Sequence, residues 1–152
     1  MTTPPLPRFV EDFALAMASI GFPRMPARVF ALLLATSEDQ LTARQIGEHL
    51  EVSAAAVSGA VRYLSQLDLV RRTRRTGERV DRYGLGEHIW EPVIHAELRA
   101  YGPLTAICDV ALASGELDER GHERVANTRD FLNFMAEELP QMLERWRARR
   151  DA

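Results

Sequence analysis

Lysine is absent from this chain, and every one of its 19 cationic side chains is arginine, a usage that GC-rich coding accounts for and from which no function follows. Cysteine is reduced to a single residue, Cys108, which excludes an intramolecular disulfide and fits a reducing compartment, while leaving open a reactive thiol or an intersubunit bridge. Nowhere do about 18 uncharged apolar residues run together, so no membrane-spanning helix is expected. Met1 to Pro7 lack the basic-then-apolar layout of a secretory leader, and the expected location is the cytoplasm, away from any membrane. Glycine-rich phosphate loops, a nucleophile elbow, an H-E-x-x-H pair and paired carboxylates in a recognisable setting are all missing, so neither enzymatic chemistry nor a cofactor is expected. Internal repeats and low-complexity segments are missing too.

What is present is enough apolar material, 46% of 152 residues, to bury a real core. The net charge of −3 argues weakly against nucleic acid, but its distribution is uneven. Residues 41–87 carry eight arginines against six acids, whereas residues 88–152 carry eight against twelve, so the basic excess sits in the middle.

Pro4, Pro5 and Pro7 predict an extended arm, after which Phe9, Phe13, Met17 and Ile20 recur at helical spacing, predicting an amphipathic helix over roughly 8–20. Pro26 suits the first turn of a second helix, which Val29, Phe30, Leu32, Leu33 and Leu34 make apolar nearly all round, as for a buried element. Thr42 and Gln45 form a T-x-x-Q capping box opening a third helix, about Ala43 to Leu50, with Leu41 placed to staple onto Ile46. Ser53 caps a fourth helix after a two- or three-residue break, with Val52 facing Val57. It runs to about Leu67, with Val57, Val61, Leu64 and Leu67 inward and Ala54, Ala55, Ser58, Arg62 and Gln66 outward.

Beyond Val70 the period changes. Arg71 to Arg75, a turn at Thr76-Gly77-Glu78, and Arg79 to Leu85 read as a hairpin with basic arms. Helical pattern resumes near His88, is interrupted at Gly102-Pro103, and continues to Ser114-Gly115. Asp118 caps the last helix, in which Val125, Leu132, Met135, Leu139, Met142 and Trp146 form a heptad seam that Pro140 should kink or break. The fold class is mainly α with a small β-hairpin, in three parts: 1–20, 21–87 and 88–152.

A helix that enters the major groove needs small residues near its N-terminus and polar or basic ones that reach base edges and phosphates. Ser53 to Gln66 has that layout, and the arginine-bearing hairpin can reach phosphates or a narrow minor groove. The candidate DNA contacts are Thr42, Ser53, Ala54, Ala55, Ser58, Arg62, Gln66, Arg72, Arg74, Arg75, Arg79 and Arg82. An alanine-rich helix or an arginine run is common by itself; two capped helices around a tight turn followed by a basic hairpin are far less so.

Three strings carry a resemblance: GFPRMPARVFALLL, LTARQIGEHLEVSAAAVSGAVRYLSQLDLVRRT and GERVDRYGL, within residues 21–85. They resemble the MarR family of bacterial regulators, particularly its GbsR-like branch. The resemblance implies a winged helix-turn-helix protein whose N- and C-terminal helices dimerise, acting on double-stranded DNA as a homodimer at a near-palindromic operator, usually as a repressor. It also implies a small lipophilic effector, for which Phe13, Met17, Trp90 and Tyr101 are candidate contacts. Dimer contacts are expected from Phe9, Phe13, Met17 and Ile20 and from Leu132, Met135, Leu139, Met142 and Trp146. The family's Asp-x-Arg wing pair is replaced here by Glu78-Arg79 and Asp81-Arg82. Arg79, nearest the turn, is the favoured minor-groove arginine, with Arg75 across the hairpin as the alternative.

Other readings compete. His88, Glu91 and His95 at i, i+3 and i+7 resemble metal-ligand spacing, although no Cys or second histidine pair joins them, and no metal is expected. Cys108 lies on an apolar stripe with Leu104, Ile107, Ala111 and Leu112, where cysteine behaves as a small hydrophobe. A helical protein-interaction module that uses the winged helix as a protein dock, without DNA binding, is the alternative function.

Overall fold

The structure is a computed structural model and describes residues 6–152. Of the proline-rich arm, Pro4 and Pro5 lie outside the described residues, while Pro7 falls inside the first turn of α1 (Leu6–Ser19), where its missing N–H leaves no intrahelical bond unmade. The chain divides into two compact units, residues 1–89 and 90–152.

The first unit is built on α2 (Arg24–Ala35), whose residues Ala27, Val29, Phe30, Ala31, Leu32 and Leu33 are all buried. A helix apolar on every side has to be wrapped by others, and α1 and α4 supply the wrapping. α1 turns Val10 and Ala14 inward, and Phe13 stacks between Phe9 and Phe30, with ring centroids 5.4 and 6.3 Å away. Gly21, at φ +95°, reverses the chain into Phe22, whose ring meets Tyr63 of α4 edge-on at 5.4 Å.

The helix-turn-helix follows its local signals closely. α3 (Ala43–Leu50) starts at the capping box: the Gln45 amide donates to Thr42 Oγ1 at 3.2 Å and the Thr42 amide to Gln45 Oε1 at 2.8 Å. α4 (Ala54–Gln66) starts at Ser53, whose hydroxyl oxygen accepts from the Ala56 amide. Between them Glu51 takes a left-handed conformation, and the Val52 amide closes onto the Gly47 carbonyl at 3.0 Å. A Cβ on Gly47 would stand 3.1 Å from the Val52 carbonyl oxygen, a tight contact that the turn would have to give by a few tenths of an ångström to admit.

A three-stranded antiparallel sheet closes this unit. Strands β1 (Leu41–Thr42), β2 (Val70–Arg74) and β3 (Asp81–Leu85) lie in the order β1-β3-β2. The two-residue β1 was not expected; it is too short to show alternation and exists only through its pairing with Tyr83 and Arg82. The hairpin is shorter than its basic arms suggested. It closes at the pair Arg74 and Asp81, leaving Arg75, Arg79 and Val80 in the connecting loop, so Arg75 is not a cross-strand partner of Arg79.

The second unit is a helical hairpin of α5 (Glu91–Ser114) and α6 (Glu119–Arg150). The interruption expected at Gly102-Pro103 does not occur, and Pro140 does not break its helix: both prolines lie inside continuous helix, at exposed positions where the ring can face solvent. Gly115, at φ +71°, ends α5, and Asp118 caps α6 by accepting from the Gly121 amide at 2.6 Å. Glu91 is gripped by Arg147 at 3.0 and 2.7 Å, and Asp109 meets Arg129 at 3.5 Å. That register makes the two helices antiparallel. No helix among the described residues is long and apolar enough to cross a membrane.

Candidate nucleic-acid interface

Position on α4 sorts its residues as the helical period demands. Val57, Val61 and Leu64 are buried, Leu67 is half-buried just past the helix end, and Ala54, Ala55, Ser58, Arg62 and Gln66 are exposed. The exposed face begins with methyl groups and ends in a guanidinium and an amide.

Strand register decides which wing residues share that side. Directly opposed residues of an antiparallel pair lie on one sheet face, so Val70 with Leu85, Arg72 with Tyr83, and Arg74 with Asp81 form one face, and Arg71 with Gly84 and Thr73 with Arg82 form the other. Val70 is buried in the core, so the first face is turned toward the helices. Arg72 and Tyr83 accordingly line a groove of about 490 Å³ together with Ser58, Val61, Arg62, Ser65, Gln66 and Val70. An open trough thus runs between α4 and the wing, with Arg62 on one wall and Arg72 on the other.

The wing arginines are not equivalent. Arg72 Nε lies 3.0 Å from Asp81 Oδ2, and Arg74 reaches Asp81 Oδ1 from Nε and Nη2 at 2.9 and 2.8 Å. The hydrogen bond from Arg74, with the nearby charge of Arg72, holds the Asp81 carboxyl below its usual range. Arg82 is paired with Glu78 at 3.1 Å, which lowers the Glu78 carboxyl in the same way. Among the described residues Arg62, Arg71 and Arg79 enter no ion pair, and Arg75 meets Glu78 only as a longer-range charge. Arg75 and Arg79 therefore stand at the wing tip with their guanidiniums uncommitted.

Thr42 and Ser53 place their hydroxyl oxygens in helix caps, so their role is to hold the two helices in place as much as to meet a ligand. Phe9, Phe13 and Met17 are half-buried against the core of their own unit, whereas Ile20 is exposed. In α6 the expected seam splits: Leu139 is buried within the hairpin and Val125, Leu132 and Met135 half-buried, while Met142 and Trp146 face solvent. Of the effector candidates, Phe13 and Met17 belong to the first unit and the exposed Trp90 and half-buried Tyr101 to the second. His88 precedes α5 rather than sharing a helix face with Glu91 and His95, and no group of three potential metal ligands converges among the described residues. Cys108, Ala111 and Leu112 are half-buried, and Leu104 and Ile107 exposed.

A second set of residues escaped the heptad reading. The register set by Glu91 with Arg147 and Asp109 with Arg129 brings Leu104 level with Phe134 and Ile107 level with Phe131. All four are exposed, Ile107 to 66% and Phe131 to 60%. Helical rotation puts the two stripes on the same side of the hairpin, forming one unpartnered apolar face. The signal was present as a second apolar stripe beside the seam, but only the pairing of α5 with α6 shows which stripe is used internally.

Residues 20–79 match a MarR family model, and residues 88–149 match a model of MmpR5-like MarR family transcriptional regulators. A crystal structure described as that of a transcriptional regulator superposes with a TM-score of 0.82 at 23% identity, over 95% of this chain and 99% of that one. MepR of Staphylococcus aureus, a transcription regulator of the multidrug efflux pump MepA, gives a TM-score of 0.44 at 19% identity over 84% and 90%. ZitR of Lactococcus lactis gives 0.41 at 22% over 78% and 76%. The likeness of fold rests on the first of these. Among curated proteins no sequence match was found.

Proposed function

We propose that this chain, which carries MarR family transcriptional-regulator domains in both its halves, is a non-enzymatic, sequence-specific DNA-binding regulator that works as a homodimer. The observation that carries the reading is the trough between α4 and the wing. Small residues at the start of α4 let its backbone approach base edges, Ser58 and Gln66 can hydrogen bond there, and Arg62 and Arg72 flank the path of a phosphate strand. Arg79, with Arg75 beside it at the tip, is the side chain that enters the adjacent minor groove.

The dimer is supported by the apolar face of the second unit. Leu104, Ile107, Phe131 and Phe134 leave a patch that a lone helical hairpin does not cover, and a second copy buries it symmetrically. A two-fold dimer presents two recognition helices to successive major grooves, about 34 Å apart, and so reads a near-palindromic operator. Repression, assignment to the GbsR-like branch and release by a small lipophilic effector extend this reading from the resemblance in residues 21–85.

The test is fluorescence anisotropy of the full chain on the duplex upstream of its own coding sequence and on a scrambled duplex, at several salt concentrations. Tighter, salt-dependent binding to the upstream duplex is expected. Equal, salt-independent or absent binding overturns the reading and favours the protein-docking alternative.

A further inference from the structure

The wing carries a carboxylate among its arginines. Asp81 closes the hairpin opposite Arg74 and lies on the same sheet face as Arg72, the face that continues into the trough lined by Ser58, Arg62 and Gln66. Both of its oxygens are engaged, Oδ2 by Arg72 and Oδ1 by Arg74. Asp81 is the fixed member of the group, its side chain 22% exposed, whereas those of Arg72 and Arg74 remain 61% and 54% exposed.

We propose that Asp81 is an affinity-limiting residue of the wing: by occupying Arg72 and Arg74 it limits how much of the wing's positive charge reaches phosphate, and so holds down the sequence-independent part of DNA binding. This rests on the DNA-binding reading above. The argument is one of charge. Sequence-independent affinity grows with the number of phosphates that cations neutralise, and an arginine already facing a carboxylate neutralises less. A carboxylate beside the duplex also repels phosphate directly. Base contacts from α4 do not pass through this group, so the carboxylate lowers affinity for operator and random sequence alike and leaves the ratio between them to α4. Hairpin closure alone does not require an acid, since a neutral residue such as threonine suits a strand pair better than aspartate does. The second acid of the wing, Glu78, pairs with Arg82, whose strand position is on the opposite sheet face, which leaves Asp81 as the wing acid on the sheet face of Arg72.

The experiment compares wild type, Asp81→Asn, Asp81→Glu and the double variant Arg72→Gln/Asp81→Asn on the upstream and scrambled duplexes across a salt series, with circular dichroism to confirm folding. Asp81→Asn is expected to bind scrambled and upstream duplex alike several-fold more tightly at low salt, with a log–log salt slope steeper by about one unit and the ratio between the two duplexes little changed. Asp81→Glu keeps the charge and stays within about twofold of wild type, and the double variant restores the charge balance and returns to a similar level. Asp81→Ser, a second neutral variant, should repeat the Asp81→Asn result, so the outcome does not depend on the folding of one variant. Neutral variants that bind scrambled duplex no better than wild type overturn the proposal while the DNA-binding reading stands. Failure of wild type and all variants to bind either duplex overturns that reading and this proposal with it.

Discussion

Arg28 of α2 donates to the Glu11 carboxylate of α1 at 2.7 Å, and the same guanidinium reaches the Leu50 carbonyl at the end of α3 at 3.1 Å. One side chain, 18% exposed, thereby ties three helices together and satisfies an orphan carbonyl of the helix-turn-helix. Replacing it with an apolar residue of similar length, Arg28→Met, is expected to cost about 1–3 kcal/mol, because a charged hydrogen-bonding network loses its donor. Urea unfolding measures this, and an unchanged midpoint would mean that the contact contributes nothing.

Gly84 of β3 lies beneath the α2–β1 loop, and a Cβ there would stand 2.5 Å from the Asp39 carbonyl oxygen. Backbone has to move to admit even one carbon. Gly84→Ala is therefore expected to destabilise the protein by about 1–3 kcal/mol, whereas alanine at Gly59, which meets nothing within 4 Å and lies inside α4, is expected to stabilise it by about 0.5–1 kcal/mol. Thermal melts of the two variants should shift in opposite directions.

Pro103 and Pro140 each remove a hydrogen bond from a helix that continues past them. Alanine at either position restores the donor and is expected to raise stability, by at most about 3 kcal/mol. A loss of stability on either substitution would show that the ring makes a contact worth more than the missing bond.

Variants of α4 and of the wing tip should fail in different ways. Arg79→Ala is expected to weaken binding to operator and random duplex alike and to flatten the salt slope by about one unit per lost phosphate contact. Ser58→Glu, at an exposed site, is expected to abolish operator binding with the melting temperature nearly unchanged. Anisotropy and melting curves on both variants decide it; a Ser58→Glu protein that still prefers operator would rule out α4 as the reading element.

The apolar face of the helical hairpin predicts that Ile107→Asp and Phe131→Asp each dissociate the dimer without unfolding the chain, since both residues are exposed in the isolated unit. Sedimentation velocity of wild type and variants at micromolar concentration measures this. Wild type that sediments only as a monomer, or variants that remain dimeric, would exclude this face as the interface.

What the sequence determined by itself was whatever depends on neighbours three or four residues apart. The Thr42–Gln45 box, the Ser53 and Asp118 caps, and the inward and outward faces of α4 were all legible, because capping and helical periodicity are written within a single turn. The wing was legible as a hairpin, and its candidate arginines with it, but not how they divide. Whether an arginine meets phosphate or is held by Asp81 or Glu78 depends on strand register, and the register, with β1 as its third strand, arises only when distant segments pair. Likewise the heptad seam in α6 was correctly apolar, yet only the packing of α5 decided that Leu139 turns inward while Phe131 and Phe134 stay exposed. Pro103, read locally as an interruption, and Pro140, read locally as a kink or break, are carried through within continuous helix because helices 24 and 32 residues long, packed along their length, outweigh one missing bond each. Local chemistry thus fixed where elements begin and which way they face, and tertiary contact decided which arginines are ion-paired and which apolar surface stays exposed.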